Sequence, residues 1–353
     1  MVPIPMIQMK IHPFPSLMLA AVLAAGAHST RAADMSDSFL PMFKPLPAEA
    51  TSPDNELTEE KINLGRMLFF DKRMSKNQDV SCSSCHVLEK YGTDNARFSK
   101  GHRGATGGRS SPTIYNAALH IAQFWDGRSP TVEEQAKGPV LNMLEMAMPS
   151  ETSVIKVINS IPGYVEAFQK AFPGQADPVT YDNFGKVLGA FERRLLTPGR
   201  WDAYLKGSKD ALTAEEKKGF ETFVMTGCVT CHNGAAVGGH MYQKIGLAKP
   251  WPGVGDLGRF MVTQQQQDKF FFKVPSLRNI TETGPYLHDG SVKELPTQVK
   301  MMAEHQLGKI LTDEQVQSIV TFLKALKGDL PMDYIKKPEL PASGPDTPKA
   351  DPT

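Results

Sequence analysis

The sequence predicts a mainly α-helical chain of two similar modules joined by long loops, and three observations predict it. Cys82-Ser83-Ser84-Cys85-His86 recurs as Cys228-Val229-Thr230-Cys231-His232, and these two runs use all four cysteines of the 353 residues. Each run follows a Leu-Thr-x-Glu start with helical spacing behind it, Leu57-Thr58-Glu59-Glu60 and Leu212-Thr213-Ala214-Glu215. Strand patterns are few, and glycine-rich connectors are long. C-x-x-C-H is the attachment signal for haem c: two thiols two residues apart reach the two vinyl groups of one porphyrin, and the next His falls under the iron. A disulfide or thioredoxin-like reading leaves both histidines unexplained, and a four-Cys zinc site has no use for them. The fold expected is therefore mainly α, two cytochrome c-like haem domains with long loops, carrying two covalently bound haem c.

The length suits two domains of ordinary size, and 41% hydrophobic with 22% charged residues is an ordinary globular balance. Residues 1–33 read as a secretory signal: Lys10, the apolar run Leu17 to Ala25, then small residues to Ala32-Ala33. Nine apolar residues are too few to span a bilayer, although an uncleaved anchor is the alternative. No later segment is apolar enough for a span, so none is expected in the mature chain. Haem c is attached outside the cytoplasm, so the signal and the motifs agree on the periplasm. Cleavage removes Lys10 and Arg31 and no acid, taking 39 basic side chains to 37 against 38 acidic ones. That balance gives no reason to expect nucleic acid as a partner.

In chain order, residues 34–56 are rich in Pro, Ser and Asp and wrap a surface. Thr58 to Phe70 is a helix with acids in its first turn and Ile62, Leu68 and Phe69 toward a core. It leads into the first motif. Residues 91–114 form a loop with Gly92, Gly101, Gly104, Gly107 and Gly108 around His102, and helices follow at 131–137, 152–171 and 180–195. Pro198-Gly199 marks a boundary between a first haem domain (34–195) and a second (196–328). Thr213 with Glu216 is a capping box opening the helix before the second motif. A third such start, Leu311-Thr312-Asp313-Glu314-Gln315, opens a closing helix with Val316, Ile319, Val320 and Leu323 on one side, expected to pack across the helix after the motif. The repeated starts suggest an internal duplication. Residues 329–353 carry six prolines and no core of their own, and are expected to lie on the first domain.

Each iron has a proximal His and either fills or leaves open a sixth position. His102, on its glycine loop, can swing on and off an iron or be a solvated loop residue. His120, in Ala118-Leu119-His120-Ile121-Ala122, reads as a satisfied core residue. Met301 and Met302 precede the closing helix, where a second-haem ligand or core packing are both open. Arg128, Arg259 and Arg278 are candidates for haem propionates or for surface salt bridges.

The order Tyr91-Gly92-Thr93-Asp94-Asn95, Gly101-His102, Gln123-Phe124-Trp125-Asp126-Gly127-Arg128, Glu134-Gln135-Ala136-Lys137-Gly138-Pro139 and Glu145-Met146 resembles the bacterial di-haem cytochrome c peroxidases. The likeness continues through Gly258-Arg259-Phe260, Leu277-Arg278-Asn279, Thr283-Gly284-Pro285-Tyr286 and Gln306-Leu307-Gly308-Lys309, covering nearly the whole mature chain. The resemblance implies that the haem on Cys82, Cys85 and His86 is peroxidatic and of low potential, with His102 as a sixth ligand that leaves. The haem on Cys228, Cys231 and His232 is then of high potential, with Met302 opposite His232. It further implies that Trp125 lies between the haems on the electron path and that Gln135 and Glu145 line the peroxide pocket. A carboxylate there can move a proton between the two peroxide oxygens, and an amide can donate a hydrogen bond without titrating. A thioether ligand favours ferrous iron, so electrons collect first at the second haem. That single reduction could release His102 by rearranging its loop.

The family also carries calcium between its domains, on carbonyls at the positions of Thr283 and Pro285 and on an Asn side chain. Here the Asn position is Ser110, a poorer ligand. The activity implied is reduction of hydrogen peroxide to water with electrons from a small cytochrome c or cupredoxin, in a protein that the family habit makes a homodimer. Two other classes compete: a tryptophan-oxidising, protein-modifying relative, which has Tyr where Met302 stands, and a plain electron-transfer cytochrome with both irons six-coordinate.

Overall fold

A computed structural model describes residues 37–353, so the signal sequence read at 1–33 lies outside the described residues. In chain order the helices are α1 (Glu59–Phe70), α2 (Cys82–Cys85), α3 (Val132–Leu141), α4 (Glu151–Asn159), α5 (Pro162–Ala171), α6 (Tyr181–Glu192), α7 (Arg200–Leu205) and α8 (Ala214–Thr226). A two-stranded antiparallel ribbon, β1 (Tyr242–Lys244) with β2 (Phe271–Lys273), encloses the short α9 (Phe260–Thr263), and α10 (Leu295–Leu307) and α11 (Asp313–Ala325) follow.

Local chemistry accounts for the boundaries. Thr58 accepts a hydrogen bond from Lys61 N at the start of α1, and Thr213 and Thr312 each make the reciprocal capping box. The single helix expected at 152–171 is two, because Pro162 lacks an N–H to continue α4 and instead sits in the first turn of α5. The helix expected at 131–137 runs on to Leu141 with Pro139 inside it. α10 has no counterpart in the expected elements.

The two cores share one construction. In the first, α1 crosses α6 at Gly65, where a side chain would overlap the Val187 carbonyl, and Phe69 packs on Phe191 at 5.3 Å between ring centroids. In the second, α8 crosses α11 at Gly219, where a side chain would overlap the Ser318 carbonyl, and Phe223 meets Phe322 at 5.2 Å. Glycine followed four residues later by phenylalanine puts a close backbone approach and a large apolar knob on one helix face. The closing helix therefore packs mainly on the helix before the motif, and to a lesser extent on α10, the helix after it. The repeat is not uniform: Gly227 caps α8 in the left-handed region one residue before Cys228, whereas a short turn and loop separate Phe70 from Cys82.

Thr197 joins the two halves. Fully buried, its hydroxyl accepts hydrogen bonds from Asn116 Nδ2 (2.9 Å) and Asn279 Nδ2 (2.8 Å), while Asn279 Oδ1 accepts from Gly328 N. The N-terminal segment crosses over, placing Phe43 against Trp201 and Phe220 in the second core. The proline-rich C-terminus runs over the first domain: Ile335 is buried there, Tyr334 stacks on Phe191, and Arg73 donates to the Pro341 carbonyl.

Candidate haem sites and the seam between them

At the first motif Cys82 to Cys85 make one helical turn capped by Ser81, and His86 N donates to Cys82 O at 3.0 Å. His86 Nδ1 lies 3.2 Å from the Gly92 carbonyl, which fixes the proton on Nδ1 and leaves Nε2 as the ligand atom. Burial pushes the thiols up, Cys82 to about 12 and Cys85 to about 11, so neither is a thiolate nucleophile. Glu192, buried nearby and felt electrostatically by Cys82, has its carboxyl pushed up to about 8 by burial, with Glu133 adding to the shift.

His102 is 5% exposed, and both its ring nitrogens are shut off from solvent with no protein partner. It is not the solvated loop residue its setting allowed. A buried imidazole with two unmet nitrogens calls for a ligand, and iron is one its chemistry fits. Its position is set by the segment that carries Glu145: His102 N donates to Glu145 O at 2.6 Å, and Gly101 is a glycine because a Cβ would overlap the Leu144 carbonyl. That segment folds back on α3, with Met146 N donating to Pro139 O and Met148 N to Val140 O. α3 carries Gln135, half-buried, and the returning chain carries Glu145, half-buried, whose Oε1 accepts from Asn142 Nδ2 at 2.7 Å. Burial raises the Glu145 pKa, with Arg128 and Asn142 pulling the other way, and its charge reaches both Cys82 and Cys85.

At the second motif the Gly227 turn delivers Cys228 directly from α8, and His232 N donates to Cys228 O at 3.0 Å. Burial pushes His232 down to about 4, and its Nδ1 faces the Val237 and Pro275 carbonyls without closing a hydrogen bond. Gly238 keeps this place open, since a Cβ there would overlap the Pro275 carbonyl and stand 3.3 Å from His232 Nδ1. Met301 and Met302, in α10, are both half-buried against the second core. Lys309 Nζ donates to the Thr226 carbonyl at 2.8 Å, tying the end of α10 to the turn that presents Cys228.

Trp125 donates from Nε1 to Ser110 O at 2.9 Å, accepts from Lys273 N at 2.8 Å on its own carbonyl, and meets His288 edge-on at 6.5 Å. Ser110 is buried, and its N donates to His288 O at 2.7 Å. Thr283 and Pro285 flank the Gly284 carbonyl, which accepts from Asn95 Nδ2 at 3.0 Å.

The three arginines read as candidates for propionates or salt bridges each have protein partners. Arg278 is in a buried fork with Asp202, Arg128 pairs with Asp126, and Arg259 donates to the Asp126 and Gly127 carbonyls while lying 4.1 Å over the Tyr242 ring. Arg109, not singled out in the sequence, binds Asp256 with two nitrogens and Asp126 with the third. Arg128 finds Asp126 two residues away, but the acids that engage Arg278 and Arg109 include Asp202 and Asp256, far off in the chain, so no local pattern exposes those pairings. His120 is not a satisfied core residue: Nδ1 has Lys273 Nζ at 3.0 Å, but Nε2 is buried without a partner.

A family model for di-haem cytochrome c peroxidase matches residues 59–210, and one for cytochrome c matches residues 216–327. The chain is 42% identical over 340 residues to the cytochrome c551 peroxidase of Pseudomonas aeruginosa, across 94% of this chain and 97% of that one. The chain belongs to the di-haem cytochrome c peroxidase family. It is an oxidoreductase of the cytochrome c peroxidase kind with two haem c. The cytochrome c551 peroxidase of Nitrosomonas europaea is 44% identical over 308 residues, 87% of this chain and 90% of that one. The methylamine utilization protein MauG of Methylophilus methylotrophus is 30% identical over 297 residues, 80% of this chain and 86% of that one. Among solved structures, a MauG-like protein associated with microbial copper homeostasis, 26% identical, superimposes with a TM-score of 0.73 over 84% of this chain and 97% of that one. Among the described residues no helix of this peroxidase is long and apolar enough to cross a membrane.

Proposed function

We propose that this chain is a periplasmic peroxidase that reduces hydrogen peroxide to two waters, using two protons and two electrons drawn one at a time from a small cytochrome c or cupredoxin through the second domain. The observation that carries the reading is the pairing of His102 and Glu145: a buried imidazole with no protein partner, hung by its backbone from the residue whose carboxylate reaches the first motif. When bound, the haems supply electron storage and the iron at which the O–O bond is broken.

The chain's residues do the rest. His86 and His102 would hold the first iron, and His232 and Met302 the second. Departure of His102 would open the first site, Glu145 would move a proton from one peroxide oxygen to the other, and Gln135 would donate an amide hydrogen to hold the substrate. Trp125, hydrogen-bonded to both sides of the seam, stands on the electron path. Calcium near Thr283, Pro285 and Ser110, export by the N-terminal signal, and a homodimer belong to the same reading. Identities of 42–44% to two cytochrome c551 peroxidases against 30–33% to two methylamine utilization proteins MauG support it.

The test is peroxide-dependent oxidation of a reduced small cytochrome c, with enzyme as isolated and with enzyme given one electron and calcium beforehand. Turnover after that treatment alone supports the reading together with His102 release. Turnover in both removes the release step, and turnover in neither, with haems intact, sinks the peroxide reading.

The His102 loop gives a second check. Gly101→Ala forces a Cβ into the Leu144 carbonyl, a local overpacking that costs about 1–3 kcal/mol unless the loop moves. The oxidised variant is expected to show a several-fold rise in the high-spin signal of the first haem with the second unchanged. An unaltered six-coordinate spectrum counts against His102 as the ligand.

A further inference from the structure

Lys273, on β2, is a buried cation without an acid. It is 8% exposed, burial pushes its ammonium down to about 8, and among the described residues no carboxylate pairs with it. Its one side-chain partner is His120 Nδ1 at 3.0 Å. An ammonium can only donate, so Nδ1 accepts and the proton of the neutral ring sits on Nε2. Burial, reinforced by the charge of Lys273, holds that ring neutral. The Nε2–H is then a donor shut off from solvent with nothing to receive it. A buried cation beside a buried, unmet N–H is a pairing that folded proteins rarely leave without an anion.

The surroundings say which anion. His120 packs on Gly239, where any side chain would overlap the imidazole, and the preceding Gly238 borders His232. Ile121 N donates to Gly239 O at 2.9 Å and Gly239 N to Val274 O at 2.8 Å, so the pair is built into the loop that closes beside His232. The arginines of this seam, Arg109, Arg128 and Arg259, are engaged by Asp126, Asp256 and backbone carbonyls. Lys273 is the cation they leave over, and haem c brings two carboxylates with it.

We propose that Lys273 Nζ and His120 Nε2 bind a propionate carboxylate of the haem attached at Cys228 and Cys231. The inference needs a haem c at the second motif and nothing of the peroxide reading. A cation beside the propionate offsets its charge and favours the reduced iron, so the pair also tunes the donor-side potential.

The haem-loaded wild-type protein decides the geometry: its crystal structure is expected to show an oxygen of that propionate within about 2.7–3.2 Å of both nitrogens. Water there, or a propionate of the first haem, overturns the assignment. A redox titration with the two haems followed separately reads the energetics. Lys273→Met is expected to lower the reduction equilibrium constant of the second haem about tenfold, ~59 mV for one electron, and to leave the first unmoved. Lys273→Arg keeps the charge and most of the potential, and His120→Phe gives a smaller drop, about threefold. An unchanged second-haem potential in Lys273→Met overturns the tuning role, and the wild-type structure still decides the site if that variant fails to take up haem.

Discussion

Glu145→Gln is expected to lower the turnover number with hydrogen peroxide by about 10²–10⁴-fold while both haems stay attached and the resting spectra are unchanged. Gln keeps the shape and can still accept the Asn142 hydrogen bond through its amide oxygen, so the loop that positions His102 loses nothing. What it loses is a group able to take a proton and give it back. The polypeptide oxygen that holds His102 is the Glu145 carbonyl, untouched by the substitution. A fall in turnover is then chargeable to the carboxyl alone. Gln135→Ala, which removes a hydrogen bond and no proton carrier, is expected to act mainly on peroxide binding. Should Glu145→Gln retain more than about a third of wild-type turnover, Glu145 is a solvated acid that happens to lie near the first motif.

The two C-x-x-C-H turns could be read from the sequence because their chemistry is local. Cys82, Cys85 and His86 lie on one turn, and so do Cys228, Cys231 and His232, so the spacing carries the geometry with it. The capping boxes at Thr213 and Thr312 were legible for the same reason, and so was the start of α1 at Thr58. The main partner of the closing helix was not, because that contact is set at a glycine ninety-nine residues before Ser318, and one glycine in a helix announces nothing until the crossing is seen. The partners of three cations fail in the same way: Arg278 finds Asp202, Arg109 finds Asp256, and Lys273 finds His120 across 76, 147 and 153 residues. Family likeness pointed to His102, Gln135, Glu145 and Met302, but the lone imidazole of His120 passed for core, since only the fold shows that its second nitrogen has no partner.

The Asp202–Arg278 pair is expected to be the costliest single break in the second domain, with Arg278→Met destabilising the haem-loaded protein by about 3–5 kcal/mol. Both side chains are almost fully buried, and Arg278 spends two nitrogens on the carboxylate and Nε on the Ala235 carbonyl, in the loop just after His232. Asp202 in turn accepts from Leu46 N and Gly199 N, so it pins the incoming N-terminal segment and caps α7 at once. Methionine fills much of the space but leaves a carboxylate in the interior with backbone donors and no cation. The pH dependence separates this cause from simple loss of packing. Burial pushes Asp202 up, but the Arg278 fork, its charge and the two N–H donors outweigh burial and hold the group below the usual range. A depressed carboxyl contributes stability in full above its unfolded value of about 3.9 and loses it as the pH falls through the folded value. Once Arg278 is gone that contribution is gone too, and protonating Asp202 relieves the unpaired charge. The gap between wild type and Arg278→Met, measured as guanidinium midpoints, should therefore be widest near pH 7 and narrow below about pH 4. Asp202→Asn added to Arg278→Met should recover part of the loss at pH 7 by keeping an acceptor without its charge. A gap independent of pH would instead assign the loss to packing around the missing guanidinium.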